Sequence, residues 1–380
     1  MADREAEIVA RIARGVADLP AGQWDGLAGP GEPFLSHAFL SLLEASGSVG
    51  DASGWTPLPI MVEREGRVTA AAPAYLKTHS QGEYVFDHGW ADAWERAGGA
   101  YYPKLQVAVP FTPCVGPRLL GEDRNALLAA LETVTVQNGL SSAHITFLTE
   151  EESMAAEARG WLRRDGLQFH WLNRGYASFD EFLGALSSRK RKSIRKERAA
   201  AAGGLQIVAL RGAEIEPAHW DAMWNFYQHT GARKWGRPYL TRAWFDGIGA
   251  AMGDAALMFL ACDGGRPIAG ALNFIGGDTL YGRYWGAFEE RPFVHFELSY
   301  YRAIDWVIEH GLKTIQAGAQ GEHKLARGYE PVVTPSVHFL PDTGFRRAVA
   351  DFLEREREAV RLELEWARQA LPYRSDSSSS

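Results

Sequence analysis

The chain has 380 residues, of which 46% are hydrophobic and 23% charged, and its net charge is −7. This length accommodates two domains of ordinary size or one large domain, and the composition is that of a globular protein. The acidic balance argues against a general nucleic-acid-binding protein, which is normally basic, although a local basic patch can still contact a phosphate.

The two cysteines, Cys114 and Cys262, are far apart in the sequence. They predict neither a disulfide framework nor a zinc motif, and two free thiols fit a reducing compartment. No segment approaches the ~18 uninterrupted apolar residues of a membrane-spanning helix, and the N-terminal stretch lacks an apolar core of signal-peptide length. We therefore expect a cytoplasmic protein with no membrane span.

The first half of the chain alternates predicted helices and strands. An amphipathic pattern over residues 2–19 predicts a helix. The runs 58–62 and 68–75 predict a β-hairpin, because Gly66 supplies the turn between them. Residues 76–103 are aromatic-rich and irregular. The other predicted elements are a helix at 36–45, a strand at 104–109, a Pro/Gly loop at 111–120, a helix at 124–138, a strand at 143–148, a helix at 151–159 and a strand at 167–172.

The second half repeats this order. Its predicted elements are helices at 220–230 and 240–251, hairpin strands at 257–262 and 267–275, a strand at 279–285, a helix at 296–310, and strands at 314–318 and 332–340. The two hairpin turns, at Gly66 and Gly265, lie about 199 residues apart, and the later helix–strand units about 171 apart, which matches an insertion of about 28 residues at 76–103. This self-similarity predicts a duplicated α/β (α+β) domain; chance similarity of short α/β patterns is the alternative.

A basic helix is predicted between the halves. Ser178 and Glu181 have capping-box spacing, and the helix ends at Gly203–Gly204. Seven cations fall between Arg189 and Arg198, and Ile194 faces away from them. Either the helix is simply solvated, or Arg189, Arg191 and Arg195 contact a phosphate of a substrate or of an RNA carrier. The predicted division of the chain is an N-terminal helix (1–25), a first domain (26–177), the basic connecting helix (178–204), a second domain (205–343), and a C-terminal helix with a disordered tail (344–380).

The loop Gln316–Pro331 is the strongest candidate for a functional segment. Gly318 and Gly321 permit sharp turns or a close approach to a ligand. His323, Lys324 and Arg327 supply a proton carrier and two cations, which suits an anionic or carbonyl-bearing substrate. The alternative is an ordinary surface turn, in which His323 is hydrogen-bonded within the loop.

Two further motifs stand out. Arg283, Tyr284 and Trp285 end a strand directly before a loop and a helix, a common position for ligand contacts. The motif FDHGWADAW at 86–94 contains Asp87, His88, Trp90, Asp92 and Trp94, whose spacing matches no metal template. We expect these side chains to pack the insertion or to line a pocket wall, and we expect no metal site.

The second half resembles a GNAT-type acyltransferase domain, from MFLACDGGRPIAGALNFI through YGRYWGA to HFELSYYRAIDWVIEHG. The duplication, and LSSRKRKSIRKERAAAAGGL leading into the second domain, resemble the FemAB-like proteins, which are aminoacyltransferases built from two GNAT domains. The segments FDHGWADAW, YYPKLQVAVPFTPCVGPRLL and QAGAQGEHKLARGYEPVVTPSVHF resemble an uncharacterised bacterial branch of that family. The resemblance covers about residues 30–345.

This resemblance implies two tandem GNAT-like domains, each a mixed, mostly antiparallel sheet flanked by helices. It also implies attack of an amine on a thioester or an aminoacyl ester. The pyrophosphate-binding loop of GNAT enzymes is missing, because AFEERPFVHFE follows Gly286. No tightly bound cofactor is therefore expected, and the co-substrate is acyl-CoA or, with more weight, aminoacyl-tRNA approached by the basic helix.

On this hypothesis the acceptor is a small-molecule or peptide amine. His323 is the proton acceptor, Lys324 and Arg327 hold anionic groups, and Glu297 or Tyr284 orients the amine. The catalytic set is thus His323, Lys324 and Glu297, while Arg283, Tyr284, Trp285, Gly318, Gly321 and Arg327 bind substrate together with the cations of the basic helix. Two alternatives stay open: a non-catalytic protein that binds peptidoglycan precursors or RNA, and a scaffold that forms a homodimer through the apolar stripe of the C-terminal helix.

Overall fold

The computed structural model describes residues 8–234, 238–289, 291–318 and 321–374. The chain divides into two compact units. Unit 1 contains Met1–Gly166 and Val333–Arg361, and unit 2 contains Leu167–Val332 and Leu362–Ser380. The predicted disordered tail at 375–380 lies outside the described residues.

The strands are β1 (Ile8–Ile12), β2 (Trp55–Pro57), β3 (Ile60–Arg64), β4 (Arg67–Ala72), β5 (Ala74–Lys77), β6 (Lys104–Val107), β7 (Leu120–Gly121), β8 (Ala143–Thr146), β9 (Leu162–Leu172), β10 (Gln206–Arg211), β11 (Ala256–Asp263), β12 (Arg266–Gly276), β13 (Thr279–Ala287), β14 (Thr314–Gln316) and β15 (Glu330–Phe339).

The helices are α1 (Ala21–Ala28), α2 (His37–Ala45), α3 (His88–Arg96), α4 (Arg124–Gln137), α5 (Glu150–Ala158), α6 (Phe179–Ala185), α7 (Ser188–Ala201), α8 (Pro217–Lys234), α9 (Arg242–Met252), α10 (Val294–Phe296), α11 (Arg302–Glu309) and α12 (Thr343–Gln369). A π-helical segment, Glu297–Tyr301, joins α10 to α11, and a 3₁₀ segment spans Glu322–Arg327. No helix among the described residues is long and apolar enough to cross a bilayer.

Unit 1 contains two sheets. One has the strand order β1-β3-β4-β7. In the other, β5 pairs with β2 and β6, β8 lies parallel to β6, and residues 336–339 of β15 pair with β8. Because side chains alternate along a strand, one face of this second sheet supplies the apolar core. That core includes Leu105, Val107, Ile145 and Val337.

The opposite face of the same sheet is polar, and it is also buried. Lys104, His144 and His338 are each at most 1% exposed. Lys104 donates to Glu83 at 2.8 Å and also to Asp87. The Nδ1 atoms of His144 and His338 lie 2.6 Å apart. Burial of so many polar groups is costly unless they are paired, and here they form a connected network.

Unit 2 is built on an antiparallel ladder, β10-β11-β12-β13, followed by β14 and the end of β9. Its core is packed by apolar residues of β11, β12, α7 and α11, with Ile194, Leu257 and Ile304 fully buried. Strand β14 is parallel to β13, and this pair positions the candidate site.

Several predicted elements differ from the structure. Within the predicted helix at 2–19, Ile8–Ile12 forms strand β1 and Val16–Asp18 a short 3₁₀ turn, because pairing with β3 overrides the four-residue apolar spacing. The predicted strand at 68–75 is two strands, β4 and β5, which belong to different sheets. The insertion at 76–103 contains the helix α3. The basic connecting helix is two helices, α6 and α7, which are separated at Leu186–Ser187.

The compact units divide the chain at Gly166 and Val333, whereas the predicted domain boundaries are 177 and 343. Long-range strand pairing accounts for the difference. The end of β9, at 170–172, pairs with β14 in unit 2, and the end of β15 pairs with β8 in unit 1. Neither pairing partner is recognisable from local sequence patterns.

Candidate active site

The parallel strands of unit 2 separate after a short pairing. Thr279–Tyr281 pairs with Thr314–Gln316, and β13 then continues to Ala287 although β14 has ended. The opening contains a pocket of about 180 Å³, which we call the cleft. Residues 282–285 of β13 line it, together with Asn273, His295, Ser299, Tyr300 and Ala317.

A β-bulge lies in the wall of the cleft. Leu272 pairs with Tyr284 and Asn273 pairs with Gly282, so Arg283 has no residue opposite it on β12. Bulges interrupt the regular ladder and re-aim nearby side chains, and they are common next to active sites. The predicted substrate residues Arg283, Tyr284 and Trp285 therefore all border the cleft.

The π-helical segment forms another wall. It brings Ser299 and Tyr300 to the cleft, and the buried hydroxyl of Ser299 has no hydrogen-bond partner among the described residues. π-Helical turns inside helices are frequent at functional sites. Sequence analysis missed Ser299 and Tyr300. The available signal for Ser299 was its four-residue spacing from His295, which places the two on one side of a helix. Tyr300, five residues from His295, reaches the cleft from a π-helical segment that no sequence pattern indicated.

Tyr300 connects the cleft to the predicted loop. Its hydroxyl lies 2.8 Å from Nε2 of His323, and the tautomer of the imidazole decides which atom donates. Burial raises the pKa of Tyr300 to about 12, against a smaller lowering by Arg327. His323 itself is exposed and does not border the cleft. The phenol therefore stands between the cleft and an imidazole that can exchange protons with solvent.

Glu297, expected to orient the amine, does not border the cleft. The carboxylate is 2% exposed and accepts from Arg198 at 3.0 and 3.1 Å. Arg302 lies 2.9 Å from the same carboxylate. Two guanidinium groups contact the buried carboxylate, so Glu297 fixes the π-helical segment rather than facing the cleft.

The two loop cations are also bound within the protein. Lys324 is 1% exposed and donates to the carbonyl of Gly318 at 2.8 Å. Arg327 donates to the carbonyl of His323 and to Glu197, both at 2.8 Å. Its guanidinium lies 3.5 Å from the ring centroid of Phe296. These contacts hold the loop beside the cleft, and neither cation borders the cleft itself.

The glycines of the loop have different roles. Gly318 has φ +77° with open space around it, so glycine is favoured there by the backbone conformation and not by lack of room. Gly321 has φ +122°, and a Cβ there would lie 2.5 Å from Cε1 of His323. The imidazole can occupy its position because Gly321 has no side chain.

Helix α7 has two chemically distinct sides. Ile194 is buried, and Glu197 and Arg198 make the inward contacts described above. Arg189 and Arg195 are exposed, and Arg191 is half-buried. Arg195 pairs with the exposed Asp180 at 2.8 Å. The cations of the outer side do not border the cleft.

In the parallel pair of unit 1, β6 and β8, described residues fill the space beside the strand end. The chain after β6 returns to the end of β8, where the amide of Gly116 donates to the carbonyl of Phe147 at 3.1 Å. Buried Arg118 donates to the carbonyl of Thr146 at 3.0 Å and to that of Cys114 at 2.6 Å. Protein atoms thus occupy the space beside the strand end. Among the described residues no group of three or more His, Cys, Asp or Glu is placed to hold a metal ion.

Comparisons with known proteins agree with this architecture. A family model named FemAB-like, described as peptidoglycan biosynthesis/recognition, matches residues 15–375. A solved structure of a conserved protein of unknown function from Bacteroides thetaiotaomicron VPI-5482 is 11% identical with a TM-score of 0.53, and the match covers 85% of this chain and 98% of that chain. At this identity the likeness shows the fold alone.

Two other solved structures are similar at lower scores. FemX is 13% identical with a TM-score of 0.49, over 79% of this chain and 92% of that chain. A tandem GNAT protein from the clavulanic acid biosynthesis pathway is 13% identical with a TM-score of 0.45, over 88% and 98%. The search of curated proteins found no match. The sheets are mixed and mostly antiparallel and are flanked by helices. Because the family model spans most of the sequence, the chain belongs to the FemAB-like family.

Proposed function

We propose that the cleft of unit 2 transfers an acyl or aminoacyl group from an activated ester or thioester to an amine. The observation that carries the proposal is the hydrogen bond between Tyr300, which borders the cleft, and His323 behind it. The bulge at Arg283 supports it, because bulges that re-aim side chains are common next to active sites and this one lies in the wall of the cleft.

The reaction requires two proton transfers. The amine nitrogen attacks the acyl carbon, a C–N bond forms, and the C–O or C–S bond to the carrier breaks. Tyr300 takes the proton of the amine as its own hydroxyl proton moves to Nε2 of His323. The reverse movement then delivers a proton to the departing oxygen or sulfur. A phenol with a raised pKa suits this relay, since it stays neutral between transfers.

The size of the cleft limits what it holds. At about 180 Å³ it is smaller than the ~300 Å³ at which whole small-molecule sites begin. We infer that it accommodates the reacting acyl group and amine, while the rest of each substrate lies outside. Arg283, Tyr284 and Trp285 are the proposed substrate contacts at its edge.

We propose acyl-CoA and aminoacyl-tRNA as the two candidate classes of donor. The missing pyrophosphate loop weakens the case for acyl-CoA, and the exposed cations of α7 favour a polyanionic donor such as aminoacyl-tRNA. The family description favours an amine of a peptidoglycan-precursor peptide as the acceptor. The absence of a tightly bound cofactor and the homodimer through α12 stay predictions.

The test combines donor and residue. The purified full chain is incubated with acetyl-CoA or with charged tRNA, together with a lysine-containing precursor peptide, and product formation is followed by mass spectrometry. Tyr300→Phe and His323→Gln are expected to lower turnover by about 10²-fold or more. His310→Gln is the matched control, because exposed His310 stacks on Trp306 at 3.8 Å and does not border the cleft.

A non-catalytic binding protein is the second candidate. It is favoured by the internal bonds of Glu297 and Lys324, which withdraw two of the predicted catalytic groups from the cleft. Binding of a donor or peptide without its consumption would support this candidate and overturn the transfer reaction. Consumption that is unchanged in Tyr300→Phe would instead overturn the relay.

A further inference from the structure

Unit 1 contains a second pocket, built mainly by the FDHGWADAW motif and the start of α12. Its volume is about 480 Å³, within the range of roughly 300–1,000 Å³ for small-molecule sites. Its apolar walls come from Phe86, Trp90, Trp94, Phe345, Val349 and Phe352. None of these residues belongs to the cleft of unit 2, and no part of the proposed transfer reaction uses them.

The walls are held in place by contacts with one another and with a neighbouring histidine. Trp94 stacks on Phe345 with ring centroids 4.6 Å apart, and Trp90 meets His338 edge-on at 4.8 Å. Arg164 lies 5.1 Å from the ring centroid of Trp90 and donates to the carbonyl of Phe86 at 2.7 Å. The pocket is therefore preformed, which reduces the entropy lost when a ligand binds.

The mouth of the pocket exposes apolar surface. Phe86 is 57% and Phe352 39% exposed, whereas Trp90 is 5% exposed. A ligand with an apolar body would remove this surface from water, and the gain is about 25 cal/mol for each Å² buried. The volume is that of a site for a single small molecule, and we take such a molecule as the occupant.

The charged side chains around the pocket determine which ligand charge it favours. Arg164 is neutralised by two hydrogen bonds to Glu356, at 2.6 and 2.7 Å. The remaining charged group in the lining is Asp342, whose Oδ1 accepts from the amide of Phe345 at 2.7 Å. No basic side chain among the described residues forms an ion pair with Asp342. Aromatic rings near a carboxylate favour an organic cation, since the faces of the rings attract positive charge.

We propose that this pocket binds a small amphiphilic amine, with the apolar body among the aromatic rings and the ammonium group beside Asp342. The amide of Phe345 and the positive end of α12 also attract the carboxylate of Asp342, because that carboxylate caps the helix. This interaction offsets only part of the negative charge that a ligand cation would meet. The site would give unit 1 a binding role of its own.

Isothermal titration calorimetry on the full chain tests the proposal with three probes of similar shape: 3-phenylpropylammonium, 3-phenylpropanol and 3-phenylpropionate. The ammonium is expected to bind about fivefold more tightly than the alcohol, and the carboxylate to bind most weakly. Asp342→Asn should abolish this order while leaving the affinity for the alcohol unchanged. Asparagine caps a helix about as well as aspartate, so the variant removes the charge and retains the cap.

A second pair of variants tests the location. Phe352→Gln is expected to weaken the binding of all three probes, because it removes an aromatic ring from the pocket wall. Leu362→Gln is the matched control on the same helix, since Leu362 is 53% exposed and does not line the pocket. The proposal is overturned if no probe binds at millimolar concentration, if the carboxylate binds as well as the ammonium, or if Asp342→Asn keeps the preference.

Discussion

At the scale of single residues, Gly321 is the position on which the candidate active site depends most directly. Its φ of +122° is strained for any L side chain, and a Cβ would press on the ring of His323. The imidazole could then not stay 2.8 Å from Tyr300. Small displacements of catalytic groups are costly, because the reacting atoms must meet in one geometry.

We therefore expect Gly321→Ala to lower turnover by on the order of 100-fold, measured with whichever donor the chain consumes. Gly265→Ala is the control, since Gly265 has φ +83° in the hairpin turn and open space around it. The control should lose about 1–2 kcal/mol of stability without losing activity. Equal activity losses in both variants would mean that backbone strain, not the position of His323, limits the reaction.

Sequence reasoning identified part of this site at the residue level. The loop pattern pointed to His323, and the strand end pointed to Arg283 and its neighbours, all of which lie at or next to the cleft. Tyr300 was missed because aromatic residues in helices usually serve packing. Glu297 was assigned a catalytic role because no local pattern reveals that a distant Arg198 neutralises it.

At the scale of elements, α7 is attached to unit 2 through its inward ion pairs. Arg198 bridges Glu297 and Asp305, and its side chain is 21% exposed against 2% for Glu297. Removal of one partner from a buried pair leaves a charge without compensation. Arg302 still contacts Glu297, which moderates the loss.

Arg198→Ala is therefore expected to destabilise unit 2 by about 2–4 kcal/mol in urea unfolding. Arg195→Ala, one turn earlier, removes an exposed pair with Asp180 and should change stability by less than about 1 kcal/mol. If the two variants were equally stable, the inward ion pairs would not be what attaches α7.

The polar face of the unit 1 sheet predicts an acid sensitivity. Burial, with a further contribution from Lys104, lowers the pKa of His144 to about 3, and burial lowers the pKa of His338 as well. Asp87 raises both pKa values in part, and Arg164 lowers both. Both rings are therefore neutral in the folded state, while the unfolded chain protonates them below pH ~6.5.

The sign follows from proton binding. Below pH ~6.5 the unfolded state binds more protons, so unfolding becomes easier as the pH falls towards the folded pKa values. For each of these histidines, the free energy of unfolding of the protein should fall by about 2 kcal/mol between pH 7 and pH 5. His170, whose pKa burial lowers to about 4, adds to this trend, and Glu83, whose pKa burial raises to about 7, opposes it. His144→Gln should remove its own share of about 2 kcal/mol in urea unfolding, and His310→Gln should leave the dependence unchanged. A pH dependence that His144→Gln does not alter would contradict the assignment.

Elements with strong local signals were predictable, and elements set by long-range pairing were not. The hairpins at Gly66 and Gly265 are present, because turn glycines and flanking apolar runs specify them locally. Strand β1 was taken for a helix because only its pairing with β3 distinguishes the two. Helix α3 was missed because its aromatic residues line a pocket and Asp87, directly before it, belongs to a buried network, which obscures the apolar period.

At the scale of the whole molecule, the charge is unevenly distributed. The net charge is −7, yet α7 carries seven cations between Arg189 and Arg198. Internal ion pairs account for Arg198, and a surface pair accounts for Arg195. Arg189, Lys192 and Lys196 remain exposed on the helix, with no ion pair among the described residues. Cations concentrated on one helix raise the local positive potential, which favours the approach of a polyanion.

The salt dependence of binding distinguishes the two proposed donors. Replacing Arg189, Lys192 and Lys196 by Gln should weaken binding of aminoacyl-tRNA and reduce the slope of log K against log salt by about 2, because each lost phosphate contact contributes about 0.7–0.9. Affinity for acyl-CoA should change little. The control replaces three exposed arginines of α12, Arg347, Arg355 and Arg368, which changes the net charge equally. If both triple variants reduce the slope alike, total charge accounts for the effect. If only the α7 variant reduces the slope, this helix is the polyanion contact. An unchanged slope in both variants would exclude α7 from donor binding.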